Sequence, residues 1–67
     1  MEFNEKLKQL RTDKGLTLKA VADALNIKVS TYSNYEQGIR EPSMLTVKRL
    51  CRYFEVSADY LLGIEED

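Results

Sequence analysis

The stretch from Leu16 to Gly38, LTLKAVADALNIKVSTYSNYEQG, constrains the fold more than any other part of the chain. Val21, Ala22 and Leu25 recur at the spacing of one helical face, and Ile27, Tyr32 and Tyr35 mark a second. Only the residues around Asn26 separate the two faces. Helices joined this tightly must cross at close range, and their buried faces leave little surface for a pocket. What such a pair offers to a partner is the outer face of its second helix.

Sixty-seven residues are expected to form a single domain, residues 1–67. A chain this short buries only about 60% of the surface that it exposes when unfolded, so its core is small. No covalent staple is available, because the one cysteine, Cys51, cannot form an internal disulfide. Histidine is absent, which removes both a cysteine–histidine metal set and an imidazole base. Cys51 occupies an apolar helical position and reads as a small buried hydrophobe, as suits a reducing compartment. No segment approaches the ~20 apolar residues of a membrane span, and MEFNEKLKQL lacks the core of a secretory leader.

Charge is unevenly spread along a chain whose net value is −1. Residues 1–56 hold all ten Lys and Arg against seven acids, whereas residues 57–67 hold only Asp59, Glu65, Glu66 and Asp67. This reads as a weakly basic body followed by an acidic, solvated tail over residues 64–67.

Hydrophobic residues recur three and four apart throughout, with no strand-like alternation, so the fold class is all-α. Phe3, Leu7 and Leu10 mark a first helix that ends at Gly15. Thr17 N-caps a second helix running to about Leu25, and Asn26, which tolerates the left-handed conformation, takes the turn. A third helix covers roughly Val29 to Gln37 and closes at Gly38. Pro42 makes residues 39–42 a loop. Ser43 then caps a fourth helix with Met44, Val47, Leu50, Cys51 and Phe54 facing inward. Ser57 caps a short fifth in which Leu61 and Leu62 pack before Gly63 stops it.

Residues 6–63 also carry an ordered set of motifs. They are LKQLR in the first helix, KGLT before the second, ALNI at the turn, YEQG closing the third, REPS in the loop and SADYLLG at the end. This set resembles the phage-repressor class of helix-turn-helix domain, the Cro-like, xenobiotic-response-element-type family. The resemblance implies a compact five-helix bundle of the lambda-repressor-like DNA-binding type, with the helix-turn-helix at about residues 17–37. It further implies a sequence-specific transcriptional regulator, a repressor. Such a protein binds a palindromic operator in double-stranded DNA as a homodimer, with the third helix in the major groove.

Carried onto this sequence, the resemblance divides the third helix. Ile27 and Tyr32 match positions that face the core, and Tyr35 matches an aromatic packed at the helix end. Val29, Ser30, Ser33 and Asn34 match outward positions that meet bases and backbone, and Lys28 matches the helix start. Arg11 and Glu36 match an ion pair that ties the first helix to the end of the third. Two residues differ from the family pattern: Leu18 stands where glutamine is common, and Lys28 where a serine or threonine cap is common. Without that cap oxygen the third helix is expected to begin a residue or two later, with Ser30 as substitute cap.

Side-chain chemistry adds roles to these positions. Asn34 can pair bidentately with adenine, and Val29 can meet a thymine methyl or stand as a tolerated surface valine. Ser30, Thr31 and Ser33 can donate to phosphates or base edges. Lys19, Lys28 and Arg40 are candidates for phosphate contacts, and Gln37 can reach backbone or base. Amides at the starts of the second and third helices, from Thr17 and Leu18 and from Lys28 onward, favour phosphate oxygens. The face is short of arginine, which favours A·T pairs at the contacted positions of the operator.

Other residues have plainer readings. Lys48, Arg49 and Arg52 form a solvated basic face on the fourth helix, paired with Glu55 or the tail. Tyr53, Tyr60 and Ile64, with Leu45, are more exposed than a small monomer needs and are expected to form the dimer interface, the alternative being simple packing at the edge of the core. No nucleophile motif, phosphate loop or paired carboxylates appear, so an enzyme is not expected, nor a cofactor, metal or small-molecule ligand. The competing reading is a protein-binding module on the same scaffold, of the antitoxin or antirepressor type. The expected location is the cytoplasm of a bacterium, bacterial or phage-encoded, at the nucleoid through DNA. Lacking an inducer domain, such a regulator would respond mainly to its own concentration.

Overall fold

The computed structural model describes residues 1–64, so Glu65, Glu66 and Asp67 of the expected acidic tail lie outside the described residues. Five helices follow one another: α1 (Phe3–Asp13), α2 (Leu18–Leu25), α3 (Val29–Gln37), α4 (Met44–Phe54) and α5 (Ala58–Leu62). The expected all-α bundle is therefore present, and most of its boundaries have local chemical causes. Thr17 Oγ1 accepts from the Ala20 amide at 3.0 Å, Ser43 Oγ from Thr46 at 3.2 Å and Ser57 Oγ from Tyr60 at 3.0 Å. Each of these satisfies one orphan donor of a first helical turn. At the other ends, Asn26 (φ 58°, ψ 45°) turns the chain out of α2, and Gly38 (φ 75°) does the same for α3.

Leu7 of α1, Val21, Ala22 and Leu25 of α2, Tyr32 and Tyr35 of α3, Val47, Leu50, Cys51 and Phe54 of α4, and Leu61 of α5 form one buried cluster. Burial of each large side chain stabilises by about 1.5–3 kcal/mol, which is what holds helices this short in place. Helix α1 packs on α3 and α5, α2 on α3 and α4, and α4 on α5. The helix-turn-helix thus lies against both 11-residue helices.

Four expectations are corrected. Helix α3 begins directly at Val29, with Lys28 as a cap residue that makes no side-chain hydrogen bond, and Ser30 is not the cap. The turn delivers Lys28 in an extended conformation (φ −70°, ψ 146°), so the next residue is already helical, and burial of Tyr32 and Tyr35 replaces the missing cap. Met44 does not face inward but is 59% exposed, because the first turn of α4 extends past the core. Leu62 is 39% exposed, since α5 is one turn long and Leu61 takes its inward direction. Finally, Arg49 is not merely solvated: its Nη2 donates to the Leu25 carbonyl at 2.6 Å. One feature had no signal in the sequence reading. Glu55, a non-glycine residue, closes α4 in the left-handed region at φ 57°.

Candidate nucleic-acid interface

Residues of α3 separate by face as a 3.6-residue period requires. Tyr32, Tyr35 and Glu36 are buried, and the two tyrosine rings meet edge-on, 6.4 Å apart and at 88°. Val29, Ser33 and Gln37 follow one another at four-residue intervals with Ser30 and Asn34 beside them, making a single outward stripe. Val29, Ser30 and Gln37 are exposed, whereas Thr31, Ser33 and Asn34 are half-buried. Gln37 Nε2 donates to Ser33 Oγ at 2.8 Å, aligning those two side chains along the stripe.

The back of α3 is fixed by the expected pair. Arg11 Nε donates to Glu36 Oε2 at 2.7 Å, and Nη2 donates to Oε1 at 3.0 Å. The remaining Nη1 donates to the Leu16 carbonyl at 2.9 Å, so one guanidinium joins α1, the start of the helix-turn-helix and the end of α3. The bidentate fork is the strong form of such a bond. The hydrogen bond that Arg11 donates to Glu36 holds the Arg11 pKa above its usual value, against the opposing effect of burial. Tyr32 lies beside the pair; burial, and then the Glu36 carboxylate, push its phenol well above the usual tyrosine range. Its hydroxyl finds no hydrogen-bond partner of good geometry, alone among buried side-chain polar atoms of the described residues. At the end of α3, Asn4 Nδ2 donates to the Glu36 carbonyl at 3.4 Å. A Cβ at Gly38 would sit 3.3 Å from that Nδ2, so positive φ and close approach both call for glycine.

A cleft of about 180 Å³ opens between α1, the start of α2 and the outer edge of α3, lined by Lys8, Arg11, Leu18, Ser33, Glu36 and Gln37. Leu18 is half-buried there and packs on the core, so its side chain does structural work and its backbone amide is the part left for a ligand. Lys8 was not anticipated. Its signal was its place three residues before Arg11, on the same helical face.

Of the remaining expected contacts, the Thr17 hydroxyl oxygen is taken by Ala20, which leaves its proton to donate. Lys19 pairs with Asp23 at 2.8 Å, but side chains 74% and 60% exposed form a pair worth at most about 1 kcal/mol, too weak to hold the ammonium against a competing anion. Lys28 and Arg40 are exposed at opposite ends of α3. Because Lys28 provides no cap oxygen, the first amides of α3 are left for solvent or an anion.

Residues expected at a dimer surface separate into two groups. Ile64 and Leu45 are 66% and 68% exposed, and Tyr60 is partly exposed. Tyr53, by contrast, is half-buried with its ring 5.1 Å from that of Phe54, as part of the core edge. Elsewhere Cys51 is buried, and burial pushes its thiol up. Among the described residues no helix is long and apolar enough to cross a membrane.

Comparison with known proteins bears on the family and the fold. A helix-turn-helix family profile matches residues 7–61. Over 66 residues the chain is 44% identical to the transcriptional activator BcrR of Enterococcus faecalis, covering 98% of this chain and 32% of that protein. It is 41% identical over 66 residues to the transcriptional regulator ImmR of Bacillus subtilis, covering 98% of this chain and 52% of that protein. The chain thus spans a third to a half of the length of these curated relatives. The P22 c2 repressor protein, solved in complex with a synthetic operator, superimposes with a TM-score of 0.88 over 100% of this chain and 98% of that one. At 21% identity that likeness is one of fold.

Proposed function

The chain belongs to the helix-turn-helix family, and we propose that it is a sequence-specific regulator of transcription that places α3 in the major groove of double-stranded DNA. The observation that carries this reading is the outward stripe of Val29, Ser30, Ser33, Asn34 and Gln37, held from behind by buried tyrosines and the Arg11–Glu36 fork. Its relatives are named as regulators of transcription, an activator among them.

On this reading Asn34 pairs with adenine and Val29 meets a thymine methyl, so the contacted positions are rich in A·T pairs. Lys19, Lys28 and Arg40, with Lys8 from α1, take phosphates, as do the Thr17 hydroxyl, the Leu18 amide and the open amides at the start of α3. Ser30, Thr31, Ser33 and Gln37 donate to phosphates or base edges. The regulator binds a palindromic operator as a homodimer. Repression is its simplest output, because a domain seated in the groove excludes polymerase sterically, whereas activation needs a second contact. Selection of bound sites from a random duplex pool tests this. Palindromic, A·T-rich half-sites are expected, with affinity falling steeply as salt rises. Salt-insensitive behaviour, or no recovered site at micromolar protein, would favour a protein partner for α3.

A further inference from the structure

Helix α2 ends in a tight turn whose geometry sets where α3 points. Three observations meet at the peptide plane between Leu25 and Asn26. Asn26, in the left-handed conformation, directs its amide back onto Ala22 and Asp23. The Ile27 amide returns to the Ala22 carbonyl at 3.0 Å. On the other edge of the plane, the Leu25 carbonyl accepts from Arg49 Nη2 of α4 at 2.6 Å, a partly buried bond across 24 residues of sequence. The plane is therefore held at both ends, by backbone on one side and by a guanidinium on the other.

The position matters for electrostatic and mechanical reasons. Leu25 is the last residue of α2, where carbonyls lack intrahelical partners and the helix dipole is negative. A cation there makes a charge-assisted bond, stronger than one between neutral groups. Downstream, Lys28 lends α3 no side-chain cap; its carbonyl accepts from the Tyr32 amide at 3.1 Å, so Lys28 holds the start of the helix through backbone alone. The orientation of the first turn of α3, including Val29 and Ser30, depends on the three residues between the helices as well as on the buried Tyr32 behind it. A small rotation of the Leu25–Asn26 plane is carried first into that turn, the part of the stripe farthest from the Arg11–Glu36 anchor at the other end of α3.

We propose that Arg49 is a positioning residue for DNA recognition: it pins the Leu25–Asn26 peptide plane and so sets the direction in which α4 presents α3 to the groove. This rests on the DNA-binding reading above for its consequence, but the pinning itself is observable without DNA. Arg49 acts from behind the helix-turn-helix and does not touch the nucleic acid.

The test uses the full chain carrying Arg49→Met, which keeps the stem and loses the donors, and Arg49→Lys, which keeps a charge able to reach the carbonyl. Amide hydrogen exchange is measured on free protein at Asn26 and Ile27. Binding is measured as Kd for a duplex recovered by selection, across a series of salt concentrations. In Arg49→Met, exchange at Asn26 and Ile27 is expected to rise, and affinity to fall about tenfold, as for loss of one charge-assisted hydrogen bond, with the salt slope unchanged. Arg49→Lys should recover part of both. Should Arg49→Met unfold, Arg49→Gln, whose shorter side chain falls short of the Leu25 carbonyl, carries the same comparison. A salt slope reduced by about one would make Arg49 a phosphate contact and overturn the proposal. Unchanged exchange in both variants would overturn it too, whether or not the wild-type chain binds DNA. Absence of DNA binding by the wild type strikes the functional reading instead, and the exchange result then decides the pinning alone.

Discussion

Arg11 and Tyr32 show how a single residue can be fixed by chemistry and yet leave a measurable trace. Arg11 and Glu36 have side chains only 14% and 5% exposed, so removing either partner strands a desolvated charge. Arg11→Met is expected to cost about 3–5 kcal/mol, most of what a domain this size has, and to appear as a collapse of the urea midpoint. Tyr32 gives a pH signature. Its folded pKa is raised, so above the ordinary tyrosine value near 10 the unfolded chain loses a proton that the folded chain keeps. Stability is therefore fully present below about pH 10 and is lost as pH rises beyond it. Tyr32→Phe should flatten that alkaline decline. Because the hydroxyl is buried without a partner, the change should also raise the unfolding free energy by about 1 kcal/mol. A loss instead would mean that the hydroxyl is bonded to Glu36 in solution.

Two junctions between elements depart from the best local chemistry, and each can be improved by one substitution. Glu55 closes α4 at φ 57°, where a Cβ costs roughly 1 kcal/mol. Glu55→Gly is expected to return about that amount, read as a higher melting temperature with the helix content unchanged. The start of α3 has the opposite defect, an uncapped first turn at Lys28. Lys28→Ser supplies the missing oxygen and should stabilise by about 1 kcal/mol. If Lys28 meets a phosphate, the same variant binds DNA more weakly and its salt slope falls by about one. A more stable protein with poorer binding would show that the cap was given up for a cation. Unchanged binding would remove Lys28 from the interface.

Across the whole molecule, long cations from the two 11-residue helices secure the shorter elements. Lys6 of α1, itself buried, donates to the Tyr60 carbonyl at 2.9 Å and stands 5.0 Å from the centre of that ring, fastening α5. Arg11 fastens Leu16 and α3, and Arg49 fastens the end of α2. The polar framework is thus supplied by α1 and α4, and the helix-turn-helix hangs from it. Beyond α5, Ile64 stands 66% exposed, and in the proposed homodimer a second copy would cover it. Ile64→Asp is expected to leave the melting temperature of the dilute monomer unchanged and to weaken self-association about a hundredfold or more, because a two-fold dimer loses a buried isoleucine side chain from each copy. Sedimentation equilibrium measures this; unaltered association would move the dimer surface elsewhere.

What the sequence alone determined is the set of features written within one turn of chain. Thr17, Ser43 and Ser57 cap because their oxygens reach amides three residues on, and Asn26 and Gly38 turn because of their own backbone freedom. The division of α3 into an inner and an outer face followed from helical period and residue type. The Arg11–Glu36 pair, separated by 25 residues, was legible only through family resemblance. Tertiary structure decided the rest. Met44 and Leu62 have the right spacing for the core but lie past its edge, and periodicity cannot say where a core ends. Lys6 and Arg49 resembled ordinary surface cations because their acceptors are carbonyls 54 and 24 residues away, and every residue type carries a carbonyl. Backbone acceptors leave no mark in composition or spacing, so only the packed molecule reveals which of them a long cation has found.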